Sequence, residues 1–522
     1  MKTKLLQRLS AIRPRWLTLT VLLAGGMIAG GPASVALAAT CPADLPATLR
    51  RIQTRHQLDT ARWGIAVETL DQTPVWQHQA DHFLIPASTQ KLLITAAVLE
   101  RLGPTTRLTT TLDVRRDASR QPSGQTIVEV SGQGDPSLSR ATLEQLAQRL
   151  AQRLRQQGIT QIDQLVGNDS DRRQFWPSSW ETIDRQAGYG APTNRLILDR
   201  NAINLTLQPQ QLGQPLAVIW ETPSQAEGWQ VENRSRTVAV DAPEYLQLEQ
   251  DLAQQATSGS RLYVEGALRV GSASEPVAIS VLQPGQAFIS TLAEALQQSG
   301  LTVNRWSLQT AAGAQRSTST DNASASAQIN HQSPPIAELI QVANQSSQNL
   351  YAEALLRSLV LAQPPSSSSL TEGGRRQERN LLTASLAVFG QTLQTLGIDP
   401  QQVVLADGSG LSRRNSIQPQ VLTQLLQYMA QSPHNTTYRQ SLAVAGQRGT
   451  LRNRFRGTLA DGRLYAKTGS MRGIAALAGY LQPVQYPEVV FSILINDADQ
   501  SYGVLQRAIE ELVLTLADLQ PC

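Results

Sequence analysis

Residues 88–102 read STQKLLITAAVLERL, and beyond the first turn the pattern is apolar on every side: Leu92, Leu93, Ile94, Ala96, Ala97, Val98 and Leu99. A helix hydrophobic all round is buried in a core rather than laid on a surface. The pattern therefore predicts a central helix with Ser88 and Lys91 at its N-terminal end, one turn apart on one face. Upstream, WGIAVETLDQTPVWQH at 63–78 reads as two strands about a turn. Toward the end, GRLYAKTGS, IAALAGYL and EVVFSILIND read as three more strands. An amphipathic helix at 502–519 (Val504, Leu505, Ile509, Leu512, Val513, Leu516) closes the chain.

Between these ends the texture changes. From about residue 106, short strand patterns such as TTLDVRR, TIVEVSG, QLVGN, LYVEGALRV and VAISVL alternate with turns. Helical periodicity interrupts them only at Thr142–Gln157 and Ala287–Ser299. Residues 106–325 are expected to form an inserted α+β region, with a nested β domain at about 205–272. Residues 311–334 and 363–377 are polar and rich in small residues, as flexible linkers are. The helical pattern resumes at PPIAELIQVANQSSQNLYAEALLRSLV. The outer segments, 39–105 and 326–522, are expected to combine into one α+β domain of helices around an antiparallel sheet.

Composition changes the picture at the N-terminus. Residues 1–40 hold Lys2, Lys4, Arg8, Arg13 and Arg15 and no acid, then an apolar run and the small-residue stretch Ala36-Leu37-Ala38-Ala39. That order is a secretory signal, expected over residues 1–38 and cleaved on export to the periplasm. The formal charge of +4 is due to this segment, since without its five cations the chain is close to neutral. No basic block with interleaved aromatics follows, so nucleic acid is not an expected partner, and membrane contact is at most peripheral. The five histidines are scattered and no CxxC or HExxH occurs, so neither metal nor cofactor is expected. Cys41 and Cys522 stand at the two ends of the exported chain. A disulfide needs both ends in one domain, and two free thiols are equally open at this point.

Lysine usage singles out the chemistry. Of 45 basic residues only Lys2, Lys4, Lys91 and Lys467 are lysines, so the exported chain keeps two. Arginine stays charged, whereas burial can push lysine toward a neutral base. Lys91 belongs to Ser88-Thr-Gln-Lys91, and Lys467 to Lys467-Thr-Gly469, with Ser347-Gln-Asn349 between them. Each motif alone is weak. Together, in the order S-x-x-K, S-x-N, K-T-G, they resemble the penicillin-recognising serine enzymes. The contexts SQNLYAEALLR, ADGSGLSRRN, YAKTGSMRG and VSGQGDPSLS, with the long insertion, resemble the low-molecular-mass class C penicillin-binding proteins. These form the D-alanyl-D-alanine carboxypeptidase/endopeptidase (S13) family.

The resemblance implies a β-lactamase/transpeptidase-like fold and a set of roles. Ser88 would attack the substrate carbonyl and carry the acyl group, with Lys91 taking its proton. Ser347 would pass a proton to the leaving amine, Asn349 would hold substrate backbone, and Lys467 would add positive potential. Thr468 and Ser470 would bind the substrate carboxylate, and Gly469 would let substrate approach the strand closely. Asp407, Arg413 and Met471 are further substrate-binding candidates, Asp407 equally readable as a residue making local turn bonds. Glu181 and Asp184 are weaker candidates for gripping a diamino-acid side chain. Peptidoglycan stem peptides are the implied substrate and β-lactams the implied covalent inhibitors. A serine β-lactamase and a catalytically silent wall-binding scaffold are the competing readings. The long insertion and the absence of a recognisable deacylating Glu loop disfavour the first, and intact motifs disfavour the second.

Overall fold

The computed structural model describes residues 40–117, 125–169, 176–251, 260–309, 327–362 and 381–522. The expected signal segment, residues 311–326 of the first linker and the whole of the second linker lie outside them. The chain divides into two compact units: Ile203–Ile279, and the remaining described residues on either side of it.

The larger unit is built on a six-stranded antiparallel sheet. Its order is Ala443–Val444, Leu464–Met471, Ile474–Leu481, Val489–Asn496, Arg62–Thr69, Pro74–His78. Chain start and chain end thus meet along the pairing of Arg62–Thr69 with Val489–Asn496. Alternate residues of each strand point to opposite faces. From Ile474–Leu481, Ala475 and Leu477 join a core with Leu45, Leu49 and Ile52 of the first helix and Leu505, Ile509 and Leu512 of the closing helix. Ala476, Ala478 and Tyr480 join a second core on the other face, with the helices Lys91–Leu102, Ile336–Gln345, Asn349–Leu361, Leu381–Thr395 and Pro419–Gln431. The sheet is therefore covered on both sides, which is why these strands read as continuous apolar runs. Leu92, Leu93, Ile94 and Ala96–Leu99 are fully buried at the centre of the second core. Cys41 and Cys522 are joined by a disulfide, their Cα atoms 5.0 Å apart. Beside it Gln520 N donates to Thr40 O.

The larger unit carries a second sheet of five strands, in the order Trp306–Gln309, Gln164–Asn168, Gln125–Gly132, Arg107–Asp117, Ala327–Pro335. Helices Arg140–Gln156 and Pro284–Gln298 cover it, burying Leu143, Leu150, Phe288 and Leu292. The last strand takes up residues expected to belong to a flexible linker. Ala327, Ile329 and Ser333 alternate inward along it, a short period-two signal hidden by polar residues between them. The smaller unit has Ser260–Arg269 as its central strand, antiparallel to Tyr245–Gln250 and parallel to Trp229–Asn233 and Arg236–Val238. Leu246, Leu262 and Val264 are buried within it.

Candidate active site

The nucleophile candidate lies just before the central helix rather than within it. Ala87–Gln90 form a single 3₁₀ turn, and the α-helix starts at Lys91. Three residues per turn place i and i+3 in line. Lys91 Nζ accordingly lies 2.7 Å from Ser88 Oγ. The same nitrogen donates to Asn349 Oδ1 at 2.8 Å and to the Ser409 carbonyl at 2.6 Å. Lys91 is fully buried. Burial lowers its pKa to about 7, against the opposing pull of Asp407 and Glu353.

Ser347 sits in the turn between helices Ile336–Gln345 and Asn349–Leu361, with φ of +55°. A non-glycine residue held in this left-handed region costs on the order of 1–3 kcal/mol and is found where geometry demands it. Here Lys467 Nζ donates to Ser347 Oγ at 2.8 Å and to the Thr468 carbonyl at 2.7 Å. Lys467 was expected to add positive potential. Burial first, and repulsion from Lys91 second, push its pKa well below the ordinary lysine value. Its contact with Ser347 Oγ also suits it to exchange a proton with that hydroxyl.

Lys467, Thr468, Gly469 and Ser470 lie on the strand Leu464–Met471. The two-residue strand Ala443–Val444 pairs only with Tyr465 and Ala466, which leaves the stretch after them open on that edge. Ser88, Ser347, Thr468, Ser470 and Thr450 line an open pocket of about 190 Å³ along this edge. Thr468 and Thr450 hydroxyls are hydrogen-bonded at 2.9 Å. Gly469 has a packing reason beside the expected one. A Cβ there would lie 2.9 Å from the Pro86 carbonyl and 3.2 Å from Ala87 Cβ, so glycine admits the turn that carries Ser88.

The peripheral candidates separate. Asp407 is fully buried and does not face the pocket. Its carboxylate accepts from Gly410 N, Ser412 N, Asn415 Nδ2, Gln90 Nε2 and Trp180 Nε1, so it braces the loop 407–415. Arg413 is exposed and donates to the Arg472 carbonyl. Met471 is half-buried opposite Ile474, at the far end of the third-motif strand. Asp184 accepts from Tyr189 Oη at 2.8 Å. Its pKa is raised, chiefly by burial, while Tyr189 and Arg413 pull it down and Glu181 pushes it up.

Several residues in the site were not expected. Glu353 Oε1 accepts from the backbone amides of Gly408 and Ser409, both at 2.8 Å, and so fixes the carbonyl that holds Lys91. Its partner is Arg357, one turn along the helix. An Asn349-Glu353-Arg357 stripe at i, i+4, i+8 inside an apolar helix was the available signal. From the segment before residue 202, Tyr189 contributes a carbonyl that accepts from Asn349 Nδ2. Gly410, with φ of +83°, abuts the nucleophile turn, since a Cβ would lie 2.0 Å from the Ala87 carbonyl.

An antiparallel sheet covered on both faces by helices, with Ser-Lys, Ser-Asn and Lys-Thr-Gly elements converging on one edge, defines a penicillin-recognising serine hydrolase. The chain belongs to the D-Ala-D-Ala carboxypeptidase 3 (S13) family, whose pattern matches residues 45–518. It is 28% identical to the D-alanyl-D-alanine carboxypeptidase of Actinomadura sp. (strain R39) over 447 residues, 83% of this chain and 77% of that protein. It is 25% identical to the penicillin-sensitive carboxypeptidase A of Dictyostelium discoideum, covering 87% of each. Among solved structures, penicillin binding protein 4 of Haemophilus influenzae shares the fold, with a TM-score of 0.70 and 21% identity over 90% of this chain and 99% of that one. The activity is that of a serine-type D-Ala-D-Ala carboxypeptidase, a hydrolase.

Proposed function

We propose that this carboxypeptidase acts in the periplasm on peptidoglycan stem peptides through an acyl-enzyme on Ser88, and that it also cuts cross-links as an endopeptidase. The observation that carries the reading is the contact between Ser88 Oγ and a buried Lys91 whose pKa is brought to about 7. A neutral Lys91 keeps two N–H bonds, to Asn349 Oδ1 and the Ser409 carbonyl, and turns its lone pair toward Ser88 Oγ. The Ser88 oxygen attacks the penultimate D-Ala carbonyl while its proton passes to Lys91 Nζ. Backbone N–H groups of Ser88 and Ser470 receive the developing oxyanion, an interaction worth about 3–4 kcal/mol in such sites. On collapse, Ser347 Oγ gives its proton to the leaving nitrogen and regains one from Lys467 Nζ. The proton on Lys91 then replaces the one Lys467 gave up, so Lys91 is neutral again and takes the proton of the water that attacks the acyl-enzyme. Thr468 and Ser470 hold the leaving residue's carboxylate, and Asn349 the substrate backbone.

A β-lactam presents the same carbonyl and carboxylate, so it acylates Ser88 as well. The penicillin-sensitive Dictyostelium relative supports this. Export by the N-terminal signal would place the enzyme beside its substrate. Asp184, which interacts electrostatically with Arg413, is the candidate for meeting the amine of a stem-peptide diamino acid.

Digestion of purified monomeric pentapeptide and cross-linked dimeric muropeptides tests the reading. Loss of one D-Ala from the monomer and conversion of dimer to monomers are both expected. Trimming of the monomer with no cleavage of the dimer would remove the endopeptidase part.

A further inference from the structure

Beyond the three motifs, the pocket has a wall that the mechanism above does not use. Arg454, Tyr502 and Gln506 line it together with Thr450, Thr468 and Ser470. Arg454 follows the short turn Gly449–Leu451 and is the one charged side chain among the described residues lining the pocket. Its side chain is only 12% exposed. Tyr502, Gln506 and Glu510 recur every four residues and share one stripe of the closing helix, Tyr502–Ala517. The adjoining stripe is the buried one, with Leu505, Ile509 and Leu512.

Arg454 Nε donates to Glu510 Oε1, and Gln506 Nε2 donates to the same oxygen at 2.9 Å. The bond uses the inner nitrogen and leaves the two terminal NH₂ groups for another acceptor. A guanidinium fork of this kind matches a carboxylate. Tyr502 opens the closing helix, so the helix N-terminus, which favours negative charge, also lies at the pocket. The three hydroxyls beside Arg454 offer hydrogen bonds but no formal charge.

We infer that Arg454, oriented by Glu510 and Gln506, is the cation that recognises the carboxylate of the leaving D-amino acid. Arg454 is then a specificity residue, and Glu510 and Gln506 are positioning residues. The assignment rests on the acyl-transfer reading of Ser88. It explains how a pocket lined otherwise by uncharged groups selects a free C-terminus. It goes further than the Thr468 and Ser470 contacts, because it sets the discrimination between a carboxylate and its uncharged amide.

The test compares three acyl donors sharing one acyl-D-Ala group. The first ends in D-Ala, the second in D-alaninamide, and the third is a thioester whose leaving group carries no carboxylate. Arg454→Gln is expected to lower kcat/KM for the D-Ala donor by roughly tenfold or more while changing the thioester rate by less than about twofold. The preference for D-Ala over D-alaninamide should shrink by the same factor. Arg454→Lys restores part of it, and Glu510→Gln gives an intermediate loss. Parallel loss on all three donors, or unchanged discrimination in a folded variant, would overturn the assignment. Failure of the wild type on every donor, the thioester included, would instead overturn the Ser88 reading.

Discussion

Ser88→Ala is expected to lower release of terminal D-Ala by at least ~10⁴-fold, because Ser88 is the hydroxyl in contact with the base Lys91. The predicted loss is specific to chemistry. Ser88 is a half-buried residue on a short turn, with its hydroxyl at the pocket and bonded to Lys91. Removing one oxygen at such a position leaves the surrounding cores untouched. Thermal unfolding should therefore shift by no more than the equivalent of about 1 kcal/mol. A coupled assay for free D-alanine, run beside a melting curve, reads both quantities. A variant that retains more than about one part in a hundred of the rate would point to a different nucleophile.

Lys91→Met should separate activity from stability in the opposite sense. As general base, Lys91 contributes a factor of about 10²–10⁴, and methionine supplies none of it. The stability effect follows from the pKa. In the unfolded chain the amine titrates at the ordinary lysine value of 10.5, and in the folded protein at about 7. Between those values the unfolded state holds a proton that the folded state lacks. Stability therefore declines as pH falls from 10.5 to about 7 and is level below that. At neutral pH the burial costs on the order of several kcal/mol. Methionine has a similar volume and no charge to desolvate. It leaves Asn349 Oδ1 and the Ser409 carbonyl without their donor, which offsets part of the gain. A net stabilisation of about 1–3 kcal/mol is expected, with activity lost. The wild-type kcat/KM should fall with decreasing pH below about 7, as Lys91 takes up its proton. A rate flat down to pH 5 would exclude Lys91 as the base.

The sequence made some of this site visible and hid the rest for a physical reason. Ser88 and Lys91 are three residues apart on one turn, so their contact is set by local geometry and can be read from spacing. Ser347 and Asn349 flank a helix start, and Lys467 to Ser470 follow one strand; each is again a local unit. The scarcity of lysine added an independent pointer, since Lys91 and Lys467 are both fully buried in the site. The antiparallel sheet was legible because its strands are long and apolar. By contrast, Trp180, Tyr189 and Arg454 reach the site through packing of separate segments, which no spacing rule records. Gly469 was read as a close-approach position, and the neighbours a Cβ would meet there, Pro86 and Ala87, are again tertiary facts. The lowered pKa of Lys467 was not legible because burial and the nearness of Lys91 are tertiary facts. Asp407 illustrates the same limit, its five donors being drawn from three separate segments.

Intact-mass analysis of the protein after incubation with benzylpenicillin, with Ser88→Ala alongside, tests the central claim most directly. The account predicts one stable penicilloyl adduct per molecule, mapped to the peptide containing Ser88 and absent from the variant. Rapid disappearance of the drug without a lasting adduct would contradict it and indicate a β-lactamase. An adduct on another residue, or neither adduct nor turnover, would contradict it as well and leave Ser88 without its assigned role.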